Sequence, residues 1–279
     1  MSLPIVALTT ASGLMNALWN LWAKGSRRPL VFLWSFQVVA VAVWAPFAWW
    51  RLSRHAVGAP GWAWLLAAIT LHAIYVLVLA RGYARADLSQ LYPIMRGTSP
   101  LLVPVLGVVL LGENLPWLSW IGIFLVGLGV LAVAGIPSHA ALTRGKYLGV
   151  LVGLAITAYT VVDKITLHYV PAVALAALGN AGNALALTLP ALRAGATLQE
   201  WRAHLRLVVA AGILSPASYL LFLWALSQAP VAAVAPMRET GIVFGTLLGV
   251  FVLHEAHGTA RVLGSLLIAA GVAVLALHT

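Results

Sequence analysis

Long apolar runs are the feature that most constrains how this chain can fold. Runs of about 20 mainly apolar residues recur from one end to the other, and only 8% of the 279 residues are charged. A soluble domain carries roughly 25% charged residues. A helix of about 20 residues crosses the hydrocarbon core of a bilayer and satisfies its own backbone hydrogen bonds there. The sequence therefore predicts an all-α polytopic membrane protein without a separate soluble domain.

Hydropathy predicts ten transmembrane helices joined by short connections. The connection 193–206 is long enough for a short interfacial helix. The first span has no basic segment before it and no clear cleavage site, so we expect it to be retained rather than removed as a signal peptide. The predicted spans are 3–23, 29–50, 62–80, 88–111, 115–135, 147–166, 172–192, 207–229, 231–252 and 262–278.

The two halves of the chain repeat each other. With an offset of 142 and no gap, residues 95–134 align with 237–276, and the identities include an Arg, a Glu and three Gly. The first span aligns with the sixth at an offset of 140. The repeats are predicted at 1–138 and 139–279. Because five spans per repeat is an odd number, the second repeat enters the membrane in the opposite sense. The predicted architecture is a 5+5 inverted-topology repeat, which many secondary transporters share.

The basic residues predict the orientation. Eleven Lys and Arg residues lie in connections after odd-numbered spans and three after even-numbered spans. The positive-inside rule then places the odd connections in the cytoplasm and both termini outside. The net charge of +10 is scattered over span ends without a basic stripe, so it indicates lipid headgroups rather than nucleic acid as the partner. We expect an integral protein of the bacterial inner membrane.

Two arginines are the first candidates for a binding site. Arg96 and Arg238 align in the repeat, and each lies within a span where a charge is costly. Arg96 is about eight residues into its helix, roughly 12 Å deep. An arginine fork suits a carboxylate or a phosphate, because it donates two hydrogen bonds and keeps its charge. A structural ion pair is the alternative interpretation, and the sequence leaves both open.

Glu239 is predicted to be the only carboxylate deep in a span, and Asp163, Lys24 and Lys164 are predicted to lie at helix ends. It could pair with Arg96, or it could carry a coupling proton if it is isolated in an apolar site. Pro93 and Pro236, each three residues or fewer from a buried arginine, are predicted hinges or simple kinks. Aromatic and polar side chains at membrane depth could line a cavity or pack the core: Trp19, Asn20, Tyr75, Tyr92, Tyr159, Tyr219 and Trp224.

These patterns resemble the EamA-type transporters of the drug/metabolite transporter superfamily. The resemblance rests on the duplication, on Trp19-Asn20 through Lys24 at the end of the first span, and on Gly112-Glu113 and His254-Glu255 after the fourth and ninth spans. It implies a carrier of small metabolites, often an exporter. The sequence departs from the family at Asn20, where Gly is usual, and at Glu239, whose repeat mate is Gly97.

The predicted function is a secondary transporter of a small polar or zwitterionic metabolite such as an amino acid, working by alternating access between the repeats. The alternatives are a flippase for a phosphate-bearing lipid-linked intermediate, and an exporter of organic anions or drugs. No enzyme, cofactor or metal is expected, since His254-Glu255-Ala256-His257 is one residue short of the zinc spacing and the chain has no cysteine. The expected partners are the substrate and the bilayer, with proton coupling left open and a monomer and a homodimer both open.

Overall fold

The computed structural model is all-helical. It describes residues 1–24, 26, 28–85, 88–134, 144–195, 197–251 and 259–279. Its helices are α1 (Leu3–Lys24), α2 (Pro29–Leu52), α3 (Ala59–Arg85), α4 (Leu88–Leu111), α5 (Trp117–Ala134), α6 (Arg144–Thr166), α7 (Ala172–Ala194), α8 (Thr197–Gln228), α9 (Val231–Met237), α10 (Thr240–Phe251) and α11 (Thr259–His278).

Each predicted span lies on a helix, and the ninth span is divided between α9 and α10. Within the described ranges, eight helical segments are long and apolar enough to cross a membrane, and Trp117–Val133 is a shorter apolar helix. Of the connection 193–206, which was expected to hold an interfacial helix, residues 197–206 are helical but form the start of α8, which departs from helical geometry at His204 (φ −130°, ψ 20°). The chain is therefore an integral membrane protein built of apolar helices.

Helices that are mates in the repeat pack against each other, and α5 with α11 is the clearest case. A Cβ built on Gly271 of α11 would lie 2.5 Å from the carbonyl oxygen of Gly122 in α5. A Cβ on Gly129 would lie 2.6 Å from the carbonyl oxygen of Gly264. The earlier glycine of α5 thus meets the later glycine of α11, so the two helices are antiparallel. Only glycine allows two helix backbones to come this close.

The same reciprocity appears between α1 and α10 and between α4 and α6. Gly13 lies against Thr240, and its repeat mate Gly153 lies against Thr98, the mate of Thr240. Helices α2 and α7, which are also mates, pack together. The contact between α1 and α10 is thus repeated by the contact between their mates, α6 and α4. This is the pattern expected when a two-fold axis relates the two halves.

Candidate functional site

The break between α9 and α10 places two charged residues inside the protein. Pro236 has no N–H to continue the helical ladder and its ring disfavours the preceding turn. After Pro236 the backbone hydrogen bonds span three residues instead of four. The Glu239 N–H donates to the Pro236 carbonyl at 3.1 Å, and the Ile242 N–H donates to the Glu239 carbonyl at 2.8 Å. The chain therefore passes through tight turns at Arg238 and Glu239, whereas α4 is helical throughout despite its prolines.

Arg96 is held by one acceptor from α1 and one from the break between α9 and α10. Its Nη1 donates to both carboxylate oxygens of Glu239 at 3.4 Å, and its Nη2 donates to Asn16 Oδ1 at 3.0 Å. Asn20 in turn donates to the Asn16 carbonyl and side-chain oxygens at 2.7 and 3.2 Å. Arg96, Glu239 and Asn20 therefore belong to one network that joins α1 and α4 to the α9–α10 break. This pairing is one of the two arrangements expected for Glu239.

Arg238 has different surroundings. Its guanidinium carbon lies 4.4 Å from the ring centroid of Phe222 and 5.1 Å from that of Tyr219. The side chain is half-buried. Among the described residues, no carboxylate lies within ion-pairing distance of it. The cation is thus stabilised by aromatic faces, which leaves its N–H donors for another acceptor.

The repeat explains why the two arginines differ. Arg96 is paired with Glu239, whose repeat mate at offset 142 is Gly97. Its second acceptor is Asn16, whose mate at offset 140 is Ile156. By symmetry Arg238 would reach Gly97 and Ile156, which offer no side-chain acceptor. Two substitutions between the halves therefore leave one cation neutralised and the other free to bind an anion.

A second polar group lies next to Arg238. His72 Nε2 is 3.0 Å from Asp163 Oδ2, and the Tyr219 hydroxyl donates to the same oxygen. His72 is the central residue of α3, and Asp163 is completely buried. Asp163 lies three residues before the end of α6, as the sequence predicts, but its side chain is completely buried against the centre of α3. Glu239 is therefore not the only carboxylate buried within the described spans.

Aromatic rings surround this group. The Tyr159 ring stacks on the His72 imidazole with centroids 4.3 Å apart, and Tyr75 meets Tyr159 edge-on at 5.3 Å. The Tyr159 and Tyr219 centroids are 6.4 Å apart. Three of the aromatic residues predicted from the sequence are thus brought together. The imidazole that they enclose was missed.

The remaining predicted residues lie elsewhere. Trp19 packs on Phe36 with centroids 5.4 Å apart, as part of the core between α1 and α2. Trp224 is exposed and lines a lateral groove of about 640 Å³ between α2 and α8, whose wall is mainly apolar. The side chains of Tyr92 and Pro93 lie outside the described part of the chain, as does the whole segment from His254 to His257.

Two charged residues cap helices other than their own. Glu113 follows α4, and its carboxylate accepts the backbone N–H groups of Val231 and Ala232 at 2.7 and 2.9 Å, at the start of α9. Lys164 lies near the end of α6, as the sequence predicts, but it does not donate to the last carbonyls of that helix. It donates instead to two carbonyls at the end of α8, those of Leu226 and Ala229, at 2.8 and 2.9 Å. Both contacts fix the helices that carry Tyr219 and Arg238.

A sequence signal existed for one of the missed residues. A histidine at the centre of an apolar helix is a rare, ionisable residue, so His72 could have been found by treating His as a charge. Asn16 and Phe222 gave no such signal, because an amide or a phenylalanine inside an apolar helix is common. Across the described ranges, no group of three or more His, Asp and Glu side chains could hold a metal ion.

Comparisons with known proteins agree with this architecture. The sequence profile of the EamA-like transporter family matches residues 4–135 and again residues 143–277. One solved structure, titled only as the crystal structure of a protein, superposes with a TM-score of 0.77. It is 20% identical in sequence, and the match covers 98% of this chain and 96% of that one. The sequence matches none of the curated proteins. The structural likeness thus concerns the fold, and the family match concerns both halves.

Proposed function

Since the chain belongs to the EamA-like transporter family, we propose that it moves a small zwitterionic metabolite, such as an amino acid, outward across the bacterial inner membrane. The observation that carries this proposal is the half-buried Arg238, whose guanidinium lies over Tyr219 and Phe222. A transporter of this family is a membrane protein that handles a small molecule and is not an enzyme.

The proposed mechanism is alternating access between two inverted five-helix repeats, 1–138 and 139–279. The antiparallel crossing of α5 and α11 at mated glycines supports this arrangement. Two similar halves of opposite orientation provide two similar gates that face opposite sides. The tight turns after Pro236 supply a hinge beside Arg238, at the point where one gate would move.

The charges of the central residues favour a zwitterion. Arg96 and Arg238 contribute two positive charges, and Glu239 and Asp163 contribute two negative charges when ionised. A substrate with one carboxylate and one ammonium group keeps this balance. Its carboxylate would take the Arg238 fork, and its ammonium group would lie toward the aromatic rings and Asp163.

A flippase for a phosphate-bearing lipid is the second candidate, because a groove lies between α2 and α8. Its aromatic wall, formed by Trp44, Phe47, Trp50 and Trp224, would suit an acyl chain. Among the described residues, however, the only charged one lining it is Arg51, and neither Arg96 nor Arg238 contributes to the wall. The groove and the buried cations therefore do not form one site for a lipid phosphate. An exporter of organic anions or drugs would use Arg238 and the rings without needing Asp163.

The proposal is tested by a thermal-shift screen of the detergent-purified protein against amino acids, organic anions, nucleosides and cationic drugs. A ligand that binds only the folded state raises its melting temperature. We expect stabilisation by one or more amino acids, and uptake of the same compounds by proteoliposomes. Stabilisation by organic cations alone would refute the placement of Arg238 in the substrate site.

Matched variants locate the site. Arg238→Gln removes the fork, and Arg238→Lys keeps the charge but not the two-pronged geometry. The loss of a charge-assisted pair of hydrogen bonds corresponds to about 1.5–3 kcal/mol, so we expect Arg238→Gln to weaken binding by about 10- to 100-fold. Arg238→Lys should weaken it less. Wild-type binding and transport in both variants would refute the proposal.

A further inference from the structure

Asp163 is a completely buried carboxylate of which only one oxygen is hydrogen-bonded. Its side chain has no exposed surface. One carboxylate oxygen, Oδ2, lies within hydrogen-bond distance of His72 Nε2 and accepts a hydrogen bond from the Tyr219 hydroxyl. The other oxygen, Oδ1, is buried without a hydrogen-bond partner. An ionised carboxylate with an empty acceptor position is costly in an apolar interior. A bound proton removes that charge.

We infer that His72, Asp163 and Tyr219 form a binding site for one proton, and that this proton drives the transport proposed above, on which the inference rests. In the unloaded state Asp163 is a carboxylate beside a neutral imidazole. The loaded state holds one more proton on the pair, shared between the carboxyl group and the imidazole, so the charge of the pair changes from −1 to 0. No other atom or electron is transferred. Glu239 is not this site, because both of its oxygens face Arg96.

Tyr219 links this site to the substrate site. Its hydroxyl donates to Asp163, and its ring lies under the Arg238 guanidinium. Tyr219 and Arg238 are half-buried whereas Asp163 is closed off, so the phenol stands between the carboxylate and the accessible space. A substrate carboxylate on Arg238 would place its ammonium group on the Tyr219 side. That positive charge disfavours a proton on Asp163, so proton and substrate exclude each other, as exchange of one for the other requires.

The other groups around the pair are few. Helix α6 adds the Tyr159 phenol, α3 adds Tyr75, and the turn after α9 adds Arg238. Arg96 of α4 is the next cation, and it is paired with Glu239. Two further neighbours are not candidates: Lys164 donates to the carbonyls at the end of α8, and α7 places Gly179, which has no side chain, against the imidazole. The described surroundings therefore contain no second buried acid that would replace Asp163.

Proton binding is measured without any substrate, by infrared difference spectra of proteoliposomes between neutral and acid pH. The chain has only six Asp and Glu residues in total, so single carboxyl signals can be assigned. We expect a signal from a buried carboxyl group or its imidazole partner in the wild type and in Glu239→Gln. It should be absent in Asp163→Asn and altered in His72→Gln. No such signal in the wild type, its persistence in Asp163→Asn, or its loss in Glu239→Gln instead would overturn the inference.

Coupling is measured with an equimolar mixture of the twenty common L-amino acids. We expect a pH gradient to drive their accumulation in wild-type proteoliposomes. In Asp163→Asn the ratio of gradient-driven accumulation to counterflow, which needs no gradient, should fall at least tenfold. Gradient-driven accumulation by Asp163→Asn at the wild-type rate would overturn the inference. A wild type that shows the proton signal but moves no amino acid would refute the proposed substrate class and leave the proton site standing.

Discussion

Glu113 is the residue whose removal gives the most direct test of how the site is held. Its two carboxylate oxygens accept the first free N–H groups of α9 at 2.7 and 2.9 Å. Helix α9 has only seven residues, and Arg238 follows directly after it. A hydrogen bond to a charged group contributes about 1.5–3 kcal/mol. Because the carboxylate is half-exposed, we expect Glu113→Ala to lower the free energy of unfolding by about 2–4 kcal/mol rather than by the sum of two such bonds.

The measurement is thermal unfolding followed by tryptophan fluorescence, since the chain has 12 Trp and no Cys for a thiol dye. Glu113→Gln should lose about half as much stability, because an amide oxygen can replace only one of the two acceptors. Asn114→Ala is the matched control, since Asn114 is the exposed next residue and caps nothing in the described structure. Equal melting temperatures for Glu113→Ala and Asn114→Ala would refute the reasoning.

Three further changes follow from named contacts. Gly271→Ala places a methyl group 2.5 Å from the Gly122 carbonyl oxygen and should lower the free energy of unfolding by about 1–3 kcal/mol. The control is Gly245→Ala, whose methyl group meets nothing within 4 Å and which should melt at the wild-type temperature. Lys164→Met should cost about 1–3 kcal/mol in the same assay, because two carbonyls at the end of α8 lose their donor; an unchanged melt would show that water replaces it. Glu200→Ala removes the acceptor of a serine hydroxyl in the α1–α2 connection, 2.6 Å away, so trypsin should cleave that connection faster than in the wild type, and equal rates would contradict this.

Helices and repeats were predictable because their signals are local. An apolar run of about 20 residues has few alternatives to a membrane helix, and the predicted spans all lie on helices. The fixed offset between Arg96 and Arg238 gave the repeat without any structure. The same offset pairs Gly122 with Gly264 in the sequence, but it does not show which glycines are in contact. That assignment needed the antiparallel crossing, since each glycine contacts the mate of another glycine rather than its own.

Asp163 illustrates what the sequence could not supply. Counting residues from the end of α6 placed it near a helix terminus, and a terminus is ordinarily at the membrane surface. The depth of a terminus depends on how the helix is tilted and covered, however, and Asp163 is completely buried. His72 is separated from it by 91 residues. Their contact depends on the packing of α3 against α6, which hydropathy does not encode.

The difference between the two buried arginines becomes clear only when the sequence and the structure are considered together. The sequence showed that Glu239 has Gly97 as its mate, and this difference alone favoured neither arginine. The structure adds the direction of each side chain: Arg96 crosses to the other repeat and takes Glu239, while Arg238 turns to the rings of α8. Two identical halves would neutralise both cations or neither. A duplicated chain can therefore keep the same helix packing in both halves and still treat its two buried cations differently, because the acceptors Glu239 and Asn16 have Gly97 and Ile156 as their repeat mates.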